Sequence, residues 1–451
     1  MRHYDHYGFA FSPSIDALEI VLTAQERIDG PVHRAAAFLH TRSPRSAFCH
    51  KNGRATSGYP GDPQGARLGH VTHLATQSSR VIKNVTFSFL PLLLLVLSVE
   101  LIVRWTGFAE DCKSPVRAGT WACDPLLSFK NDPSMVVRGQ PLNSDGFRGR
   151  EFGPKKDGVL RILALGDSCT FGVVPADHGY FVDRPYPELL EEEIARRFGL
   201  DRIEVFNGGV PGYNSFQGLM LLRTQLRSIQ PDVITVRFGW NDHLMSSFGR
   251  REGAFTESGH PLIRLPMNLI LRSAIYPAAV RLSMELRAAL GVGSGVGLKI
   301  PSEWKPNMSL DDYRYALEAI SRLGQSLDAR VVLIAAPQAT NRKVEVDRFE
   351  RLPADAVARN VLVYSAIDSF ERMRSIHQSY VDATREVADQ LAIPLVDMAR
   401  VYRDQRDRRL FSDSDILHPT QRGHMLEART LFERLDELGE FADLRSEDGK
   451  N

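Results

Sequence analysis

The sequence predicts an α/β protein with a central parallel sheet that is covered by helices on both faces. Two observations predict this fold class. Short apolar, strand-like runs alternate with helix-compatible segments, as in consecutive βαβ units. The first run also ends abruptly in small, turn-prone residues, which is typical of the carboxyl end of a strand in an open α/β sheet. The predicted strands are Leu160–Leu165, Ile203–Phe206, Val233–Phe238, Val331–Ala335 and Pro394–Val396.

Helix-compatible segments lie between and after these runs. Ser309-Leu-Asp-Asp312 precedes one of them and is a capping-box-like start, because a serine hydroxyl there can accept a backbone N–H of the first turn. The predicted helices are Pro187–Phe198, Phe216–Ile229, Leu310–Leu327, Ser369–Leu391 and Gln421–Leu435.

Length and composition favour one main domain with additions. The chain has 451 residues, which exceeds one typical domain. Its 43% hydrophobic and 25% charged residues are typical of a globular protein. A formal net charge of +1 gives no electrostatic reason to expect nucleic acid as a partner.

The first part of the chain is predicted to be a disordered extension over residues 1–80. It is rich in His, Arg, Ser, Gly and Pro and has no sustained apolar periodicity. An alternative remains open, in which these residues are upstream sequence read from a misplaced translation start. A basic and then strongly apolar N-terminus would result if the chain began near Val71 or Val81.

A transmembrane anchor is predicted over residues 85–105. Val85–Val103 is close to the minimum apolar length that spans a bilayer, and Glu100 lies near its end, where a charge can reach the interface. No small-residue cleavage site follows, so we expect an uncleaved anchor. A buried core helix is the alternative.

The orientation of this anchor is predicted from its flanking charges. Arg80 and Lys83 precede it and Arg104 follows it, which slightly favours a cytoplasmic N-terminus. The rest of the chain would then be periplasmic or extracellular.

Residues 106–142 have little periodicity and are predicted to be an extended connection packed on the main domain, which we place at 143–440. Cys112 and Cys123 close a short loop there, and whether they form a disulfide depends on the redox compartment. The pattern breaks between 249 and 307, where we expect an insertion that covers the mouth of the site. Its glycine-rich run 291–297 is interpreted as a flexible linker.

The first predicted strand leads directly into Gly166-Asp167-Ser168, and three further blocks follow in a fixed order. They are Asn207-Gly-Gly-Val-Pro-Gly212, Gly239-Trp-Asn241-Asp242 and Asp415-Ile-Leu-His418-Pro419. Any one of these blocks alone is weak evidence, since Gly-Asp-Ser is ordinary turn chemistry. Four blocks in order are far more specific.

Together these blocks resemble the SGNH subgroup of the GDSL esterase/lipase family, over roughly Asn143 to Leu435. The resemblance implies a flavodoxin-like three-layer α/β/α sandwich and an enzyme that acts on ester bonds. The Gly-x-Ser-x-Gly elbow of α/β-hydrolases is missing, because Thr170 stands where that motif needs glycine.

Acyl transfer needs a nucleophile, a base and a group that orients the base. We predict Ser168 as the nucleophile and His418 as the base. Asp415 lies three residues before His418, close enough to hold the imidazole in the useful tautomer.

The resemblance further implies an oxyanion hole formed by the backbone N–H groups of Ser168 and Gly212 and the side-chain amide of Asn241. The chemistry is consistent, because glycine allows close backbone approach and an amide can donate a hydrogen bond. Gly208 and Gly209 lie in the same loop as Gly212 and stay open as alternatives.

Other polar residues near the blocks are interpreted as structural. Asp167 is expected to organise the nucleophile turn, Asp242 to support its own loop, and Cys169 to be a small buried side chain. No metal or cofactor is predicted, because no metal-ligand spacing is present. His178, His243 and His377 have no partner residues at a spacing that suggests a metal site.

Three functions follow from this sequence. The first is a membrane-anchored serine esterase that removes acyl groups, with acetyl as a candidate, from a carbohydrate or other small ester. The second is an O-acyltransferase that passes the acyl group to a sugar hydroxyl of the envelope. The third is a non-catalytic binding component that keeps the fold. Neither the substrate nor the oligomeric state follows from the sequence.

Overall fold

A computed structural model describes residues 90–108, 120–124, 127–175, 179–244, 273–290, 303–354, 356–405 and 408–448. The chain divides into two compact units, with a boundary between Val99 and Glu100. The predicted extension 1–80, Cys112 and the glycine-rich run 291–297 lie outside the described residues, as does the side chain of Cys123. The disulfide and the disordered extension therefore stay predictions.

The first described element is a helix over 90–106, here α1, whose apolar side chains are mostly exposed. It includes most of the predicted anchor, yet no helix in the described part of the chain meets the length and hydropathy needed to cross a membrane.

Two antiparallel hairpins follow in the region that we predicted to be an extended connection. The first pairs β1 (Trp121–Asp124) with β2 (Ser128–Asn131), and the second pairs β3 (Val136–Val137) with β4 (Gln140–Pro141). Their strands are two to four residues long. Strands this short are hard to detect from periodicity, because fewer than two full alternations are available.

The central sheet is parallel and has five strands in the order β6-β5-β7-β8-β9. Every predicted strand is present, with ends that differ from the prediction by at most three residues. The bounds are Leu160–Gly166 for β5, Ile203–Gly209 for β6, Val233–Arg237 for β7, Arg330–Ile334 for β8 and Leu395–Val396 for β9.

Helices cover both faces of this sheet. The described helices after α1 are α2 (Ser168–Phe171), α3 (Tyr186–Phe198), α4 (Ser215–Ile229), α5 (Trp240–His243), α6 (Ile275–Ala289), α7 (Leu310–Gln325), α8 (Lys343–Phe349), α9 (Val357–Ser365), α10 (Phe370–Gln390), α11 (Met398–Asp404), α12 (Gln421–Glu437) and α13 (Ala442–Asp448). The hydroxyl of Ser309 accepts the N–H of Asp312 at 3.1 Å, so the predicted cap of α7 is confirmed.

Alternate residues of each strand enter two separate cores. In β5, Ile162 and Ala164 pack with α3 and α12, whereas Leu163 and Leu165 pack with α4 and α7. Side chains of a strand point alternately to its two faces, so this division confirms a helix layer on each side of the sheet. The predicted α/β/α sandwich with a parallel sheet is therefore confirmed.

The strand order determines where a site can form. The chain passes from β5 to β6 on one side and then crosses to β7 on the other side of β5. Such a reversal opens a crevice outside the carboxyl ends of the first and third strands of the sheet, which is where flavodoxin-like folds bind their ligands. Here those ends are Gly166 and Arg237.

Candidate active site

Ser168 is the first residue of α2, directly after the carboxyl end of β5. The carboxylate of Asp167 caps this short helix by accepting the N–H of Cys169 at 2.9 Å. Gly172 ends the helix in the left-handed region, with φ of 94°. Asp167 therefore has the turn-forming place expected for it.

Two glycines let α2 sit closely on the sheet. A Cβ atom on Gly166 would lie 2.1 Å from the Thr170 hydroxyl, and one on Gly209 would lie 2.3 Å from the backbone nitrogen of Phe171. Both positions exclude any larger residue without movement of the nucleophile turn.

The structure brings the three predicted reactive side chains into one hydrogen-bonded chain. Ser168 Oγ lies 2.9 Å from His418 Nε2, and His418 Nδ1 lies 2.7 Å from Asp415 Oδ2. Because a carboxylate only accepts, Nδ1 carries the proton and Nε2 is left to accept the serine hydroxyl. This is the tautomer that a general base at His418 requires.

Asp415 is held in its ionised form by its neighbours. Burial raises the pKa of its carboxyl, but His418 and the N–H groups of Leu417 (2.8 Å) and His418 (3.2 Å) more than offset burial, so the pKa lies below its usual range. The carboxylate therefore stays charged at neutral pH and orients the imidazole.

The predicted oxyanion donors follow three neighbouring strands. Ser168 begins α2 after β5, Gly212 lies in the loop after β6, and Asn241 lies in the short helix α5 after β7. Gly212 has a φ of 91°, which other residues rarely adopt. Neither its N–H nor that of Ser168 donates to another described residue. Asn241 Nδ2 donates to the carbonyl of Tyr213 at 2.9 Å, which ties the Asn241 loop to the Gly212 loop.

Asp242 joins its own turn to the start of α4. Its carboxylate accepts the N–H and the hydroxyl of Ser215 at 2.9 and 2.6 Å and the N–H of Gly239 at 3.0 Å. Asp242 makes no hydrogen bond to His418, whose Nδ1 contacts Asp415 instead. Asp242 therefore supports its own turn through hydrogen bonds, as the sequence predicted.

A buried ionic network beneath the nucleophile was missed by sequence reasoning. Arg237, the last residue of β7, pairs with Glu427 of α12 at 3.1 Å and lies 3.9 Å from Asp167. Tyr402 also donates to Glu427 at 3.1 Å. Burial lowers the pKa of Arg237, but Glu427 and the other acidic neighbours raise it well above its usual value, so the guanidinium stays charged.

Arg148 is a second buried arginine near the nucleophile. It donates to the carbonyl of Phe171 at 3.1 Å and to the carbonyls of Val182 and Asp183 at 2.8 and 3.0 Å. It therefore ties the end of α2 to the segment before α3. No local sequence pattern indicates these contacts, because Arg148 is more than 20 residues from each carbonyl that it contacts.

The remaining candidate residues, a cysteine and two of the three histidines, are not part of this hydrogen-bonded group. Cys169 is fully buried, and burial raises the pKa of its thiol well above the usual value, so it is not a reactive thiolate. His243 and His377 form a buried pair, with Nε2 and Nδ1 2.9 Å apart. Among the described residues no group of three or more possible ligands lies together for a metal, and His178 is outside them.

The predicted insertion 249–307 is described only at 273–290 and 303–307. Trp304 Nε1 donates to the carbonyl of His243 at 2.9 Å, and Asn307 Nδ2 donates to the carbonyl of Asn241 at 3.0 Å. The end of the insertion thus contacts the Asn241 loop. Its effect on substrate access stays a prediction.

Residues 164–426 match the model of the GDSL-like lipase/acylhydrolase family. This match covers more than half of the 451 residues, so the chain belongs to that family. As a member with this fold, it is an ester-hydrolysing enzyme. A search of the curated proteins found no match.

Several solved structures are similar to the chain. A lipase/acylhydrolase from Enterococcus faecalis is 18% identical, with a TM-score of 0.37 over 61% of this chain and 95% of its own. The acetyl xylan esterase AlAXEase is 14% identical, with a TM-score of 0.35 over 61% and 98%. A catalytic mutant of Axe2, an acetylxylan esterase from Geobacillus stearothermophilus, is 14% identical, with a TM-score of 0.34 over 62% and 96%.

Proposed function

We propose that this enzyme cleaves carboxylic esters through a covalent acyl intermediate on Ser168. The observation that carries the proposal is the continuous hydrogen-bonded chain from Ser168 through His418 to Asp415, with distances of 2.9 and 2.7 Å. A serine hydroxyl is a weak nucleophile at neutral pH, and an oriented imidazole within hydrogen-bond reach activates it.

In the first half-reaction, His418 Nε2 takes the proton of Ser168 Oγ as the oxygen attacks the ester carbonyl carbon. The developing oxyanion accepts hydrogen bonds from the backbone N–H groups of Ser168 and Gly212 and from the second N–H of the Asn241 amide. When the tetrahedral intermediate collapses, His418 returns the proton to the departing alkoxide, and an alcohol leaves.

In the second half-reaction, His418 takes a proton from water, and the resulting hydroxide attacks the acyl carbon. The new tetrahedral intermediate expels Ser168 Oγ, which recovers the proton from His418, and the carboxylic acid leaves. Asp415 keeps its charge throughout and stabilises the imidazolium that forms in each half.

We further propose an acetyl ester of a small molecule or carbohydrate as the substrate, and an envelope location outside the cytoplasm. The substrate class is supported by the names of two similar structures, which are acetylxylan esterases. The location is supported by the apolar sequence of 85–105 and its flanking charges, which fit a membrane anchor that includes α1.

The test of the mechanism is turnover of 4-nitrophenyl acetate by the full chain, Ser168→Ala and His418→Ala, with Cys169→Ala as the matched control. We expect each of the first two substitutions to lower turnover by about 10⁴-fold or more. Cys169→Ala, one residue away, is expected to keep turnover. Undiminished turnover of folded Ser168→Ala would refute the mechanism. Adding a sugar acceptor and analysing the products separates release of free acid from acyl transfer.

A further inference from the structure

The N-terminus of α6 is capped by a residue of α1. The Glu100 carboxylate accepts the hydroxyl of Ser273 at 2.7 Å and the N–H groups of Ala274 and Ile275 at 2.8 and 3.2 Å. It also pairs with Arg104. Backbone N–H groups at a helix start need acceptors and favour negative charge, so Glu100 satisfies both requirements.

A second contact holds α6 about two turns further along. The Arg281 guanidinium lies over the ring of Phe108, 4.3 Å from its centroid, and donates to the carbonyl of Phe108. Arg281 Nε also donates to Glu285 at 2.8 Å. The segment 100–108 therefore holds α6 at two points along its length.

The exposed face of α6 is its apolar face. Leu282, Leu286 and Leu290 are 49%, 53% and 73% exposed, whereas Arg281 is 8% exposed. Positions i, i+4 and i+8 share one face of a helix. A helix on the surface of a soluble domain normally turns charged residues outward and leucines inward. Among the described side chains at this end of α6, the charged Arg281 is buried and the leucines are exposed, so the leucine face needs an apolar partner.

Like α6, helix α1 exposes apolar side chains next to the contact between the two helices. Leu101, Ile102 and Trp105 are exposed in the segment that carries Glu100. Tryptophan is enriched where a membrane-spanning segment reaches the interface. Apart from the buried Arg281, the sequence 261–290 contains three arginines and one glutamate, an excess of positive charge that suits anionic headgroups.

We propose that α6 is an interfacial helix that lies in the plane of an anionic lipid bilayer with Leu282, Leu286 and Leu290 in the acyl region. This rests on the proposed membrane anchor and extends it, because a second helix fastened to the anchor holds the catalytic domain in one orientation to the surface. Glu100, a charge inside an otherwise apolar segment, finds its hydrogen-bond donors at the start of α6.

The test uses the full chain in vesicles of phosphatidylcholine and phosphatidylglycerol, with and without brominated acyl chains that quench tryptophan. L286W reports on the leucine face of α6. L200W is the matched control, because Leu200 is 60% exposed and lies before β6. The emission of the parent chain, with its four tryptophans, is subtracted from both.

We expect the emission added by L286W to shift to shorter wavelength and to lose most of its intensity on brominated vesicles, while that of L200W does neither. If the parent floats with vesicles but L286W is unquenched, the anchor stands and the α6 proposal fails. A blue-shifted, unquenched L286W that crosslinks to a second chain would assign the face to self-association instead. If the parent does not float with vesicles, both proposals fail. Equal quenching of L200W would also overturn the assignment.

Discussion

Among single residues, Asn241 has an amide whose two N–H groups differ in the proposed mechanism. One N–H donates to the carbonyl of Tyr213 at 2.9 Å and so fixes the direction of the side chain. The amide nitrogen carries a second N–H that can meet the substrate oxyanion. A donor that is already positioned costs no reorganisation when charge develops in the transition state.

Asn241→Ala is therefore expected to lower kcat about 10²- to 10³-fold with a much smaller change in KM. Steady-state kinetics with 4-nitrophenyl acetate measures both. In a Ser168→Ala background the same substitution is expected to have a smaller effect, because the two residues act on the same transition state. A change confined to KM would mean that Asn241 binds the ground state only.

Two buried histidines give the fold a dependence on pH. His377 donates from Nε2 to the carbonyl of Ala336 at 3.0 Å, so its Nδ1 accepts the Nε2 proton of His243. A proton on His377 Nδ1 would place two donors against each other, and a proton on either ring would leave a positive charge buried. Burial is the main cause that lowers the pKa of His377 to about 4.

In the unfolded chain a histidine has a pKa of about 6.5. Between pH 6.5 and about 4 the unfolded state therefore binds a proton that the folded state does not, and stability falls as pH falls. We expect the free energy of unfolding to drop by about 2 kcal/mol between pH 7 and pH 5 through His377 alone. Urea unfolding of the parent and His377→Gln measures this drop. An equal drop in both proteins would contradict it.

The residues that the sequence identified all lie in short motifs with fixed local spacing. Asp415 precedes His418 by three residues, so their pairing is visible in the sequence. Arg237 and Glu427 are 190 residues apart, and no local pattern connects them. Their pairing became visible only when β7 and α12 were brought together.

At the scale of elements, the network of Arg237 and Glu427 joins the sheet to the helix that follows His418. Arg237 ends β7 and Glu427 lies in α12, and both side chains are 1% exposed. Breaking such a pair leaves an uncompensated buried charge, which costs far more than breaking a surface pair. Asp167, at 3.9 Å from Arg237, connects the same pair to the nucleophile turn.

Glu427→Gln is expected to destabilise the fold by about 3–5 kcal/mol, measured by urea unfolding at pH 7. The matched control is Glu386→Gln, which breaks the half-exposed pair of Arg314 with Glu386. That change is expected to cost about 1 kcal/mol or less. If the two substitutions lowered the free energy of unfolding by similar amounts, the buried pair would stabilise the fold no more than the surface pair.

The elements that the sequence predicted are those with long apolar periodicity, namely the five sheet strands and the helices α3, α4, α7, α10 and α12. It missed the 15-residue α6, which lies where an insertion was predicted, and the short helices α2, α5, α8, α9, α11 and α13, which are four to nine residues long. Two turns of helix give too few apolar positions to define a period. The hairpins β1 to β4 were missed because their strands are shorter still.

At the scale of the whole molecule, these hairpins belong to the site region and are more than a connection. Tyr213 donates to the carbonyl of Phe129 at 2.7 Å, and Asn131 donates to the carbonyl of Gly209 at 3.2 Å. The Phe129 ring lies 3.4 Å from where a Cβ atom on Gly212 would stand. The first hairpin therefore supports the Gly212 loop from outside the sheet.

A fragment of residues 120–451 is expected to keep the turnover of the full chain, since the hairpins and the described site residues are all inside it. A fragment of residues 143–451 lacks the hairpins and is expected to lose about 3 kcal/mol or more of stability, because a buried Phe129 is removed. Its kcat is also expected to fall as the Gly212 loop loses support. Urea unfolding and steady-state kinetics compare the stability and kcat of the two fragments. Equal stability and kcat would mean that residues 120–142 only connect and do not support the site.

Covalent labelling of the full chain with a fluorophosphonate ester, read by intact mass and peptide mapping, tests whether Ser168 is the nucleophile. Ser168 Oγ is expected to displace fluoride and to carry a single phosphonyl adduct, while His418→Ala, which lacks the base 2.9 Å away, is expected to lose the adduct. An adduct on another residue, or continued ester hydrolysis in a protein that takes up no label, would contradict the assignment of Ser168 as the nucleophile.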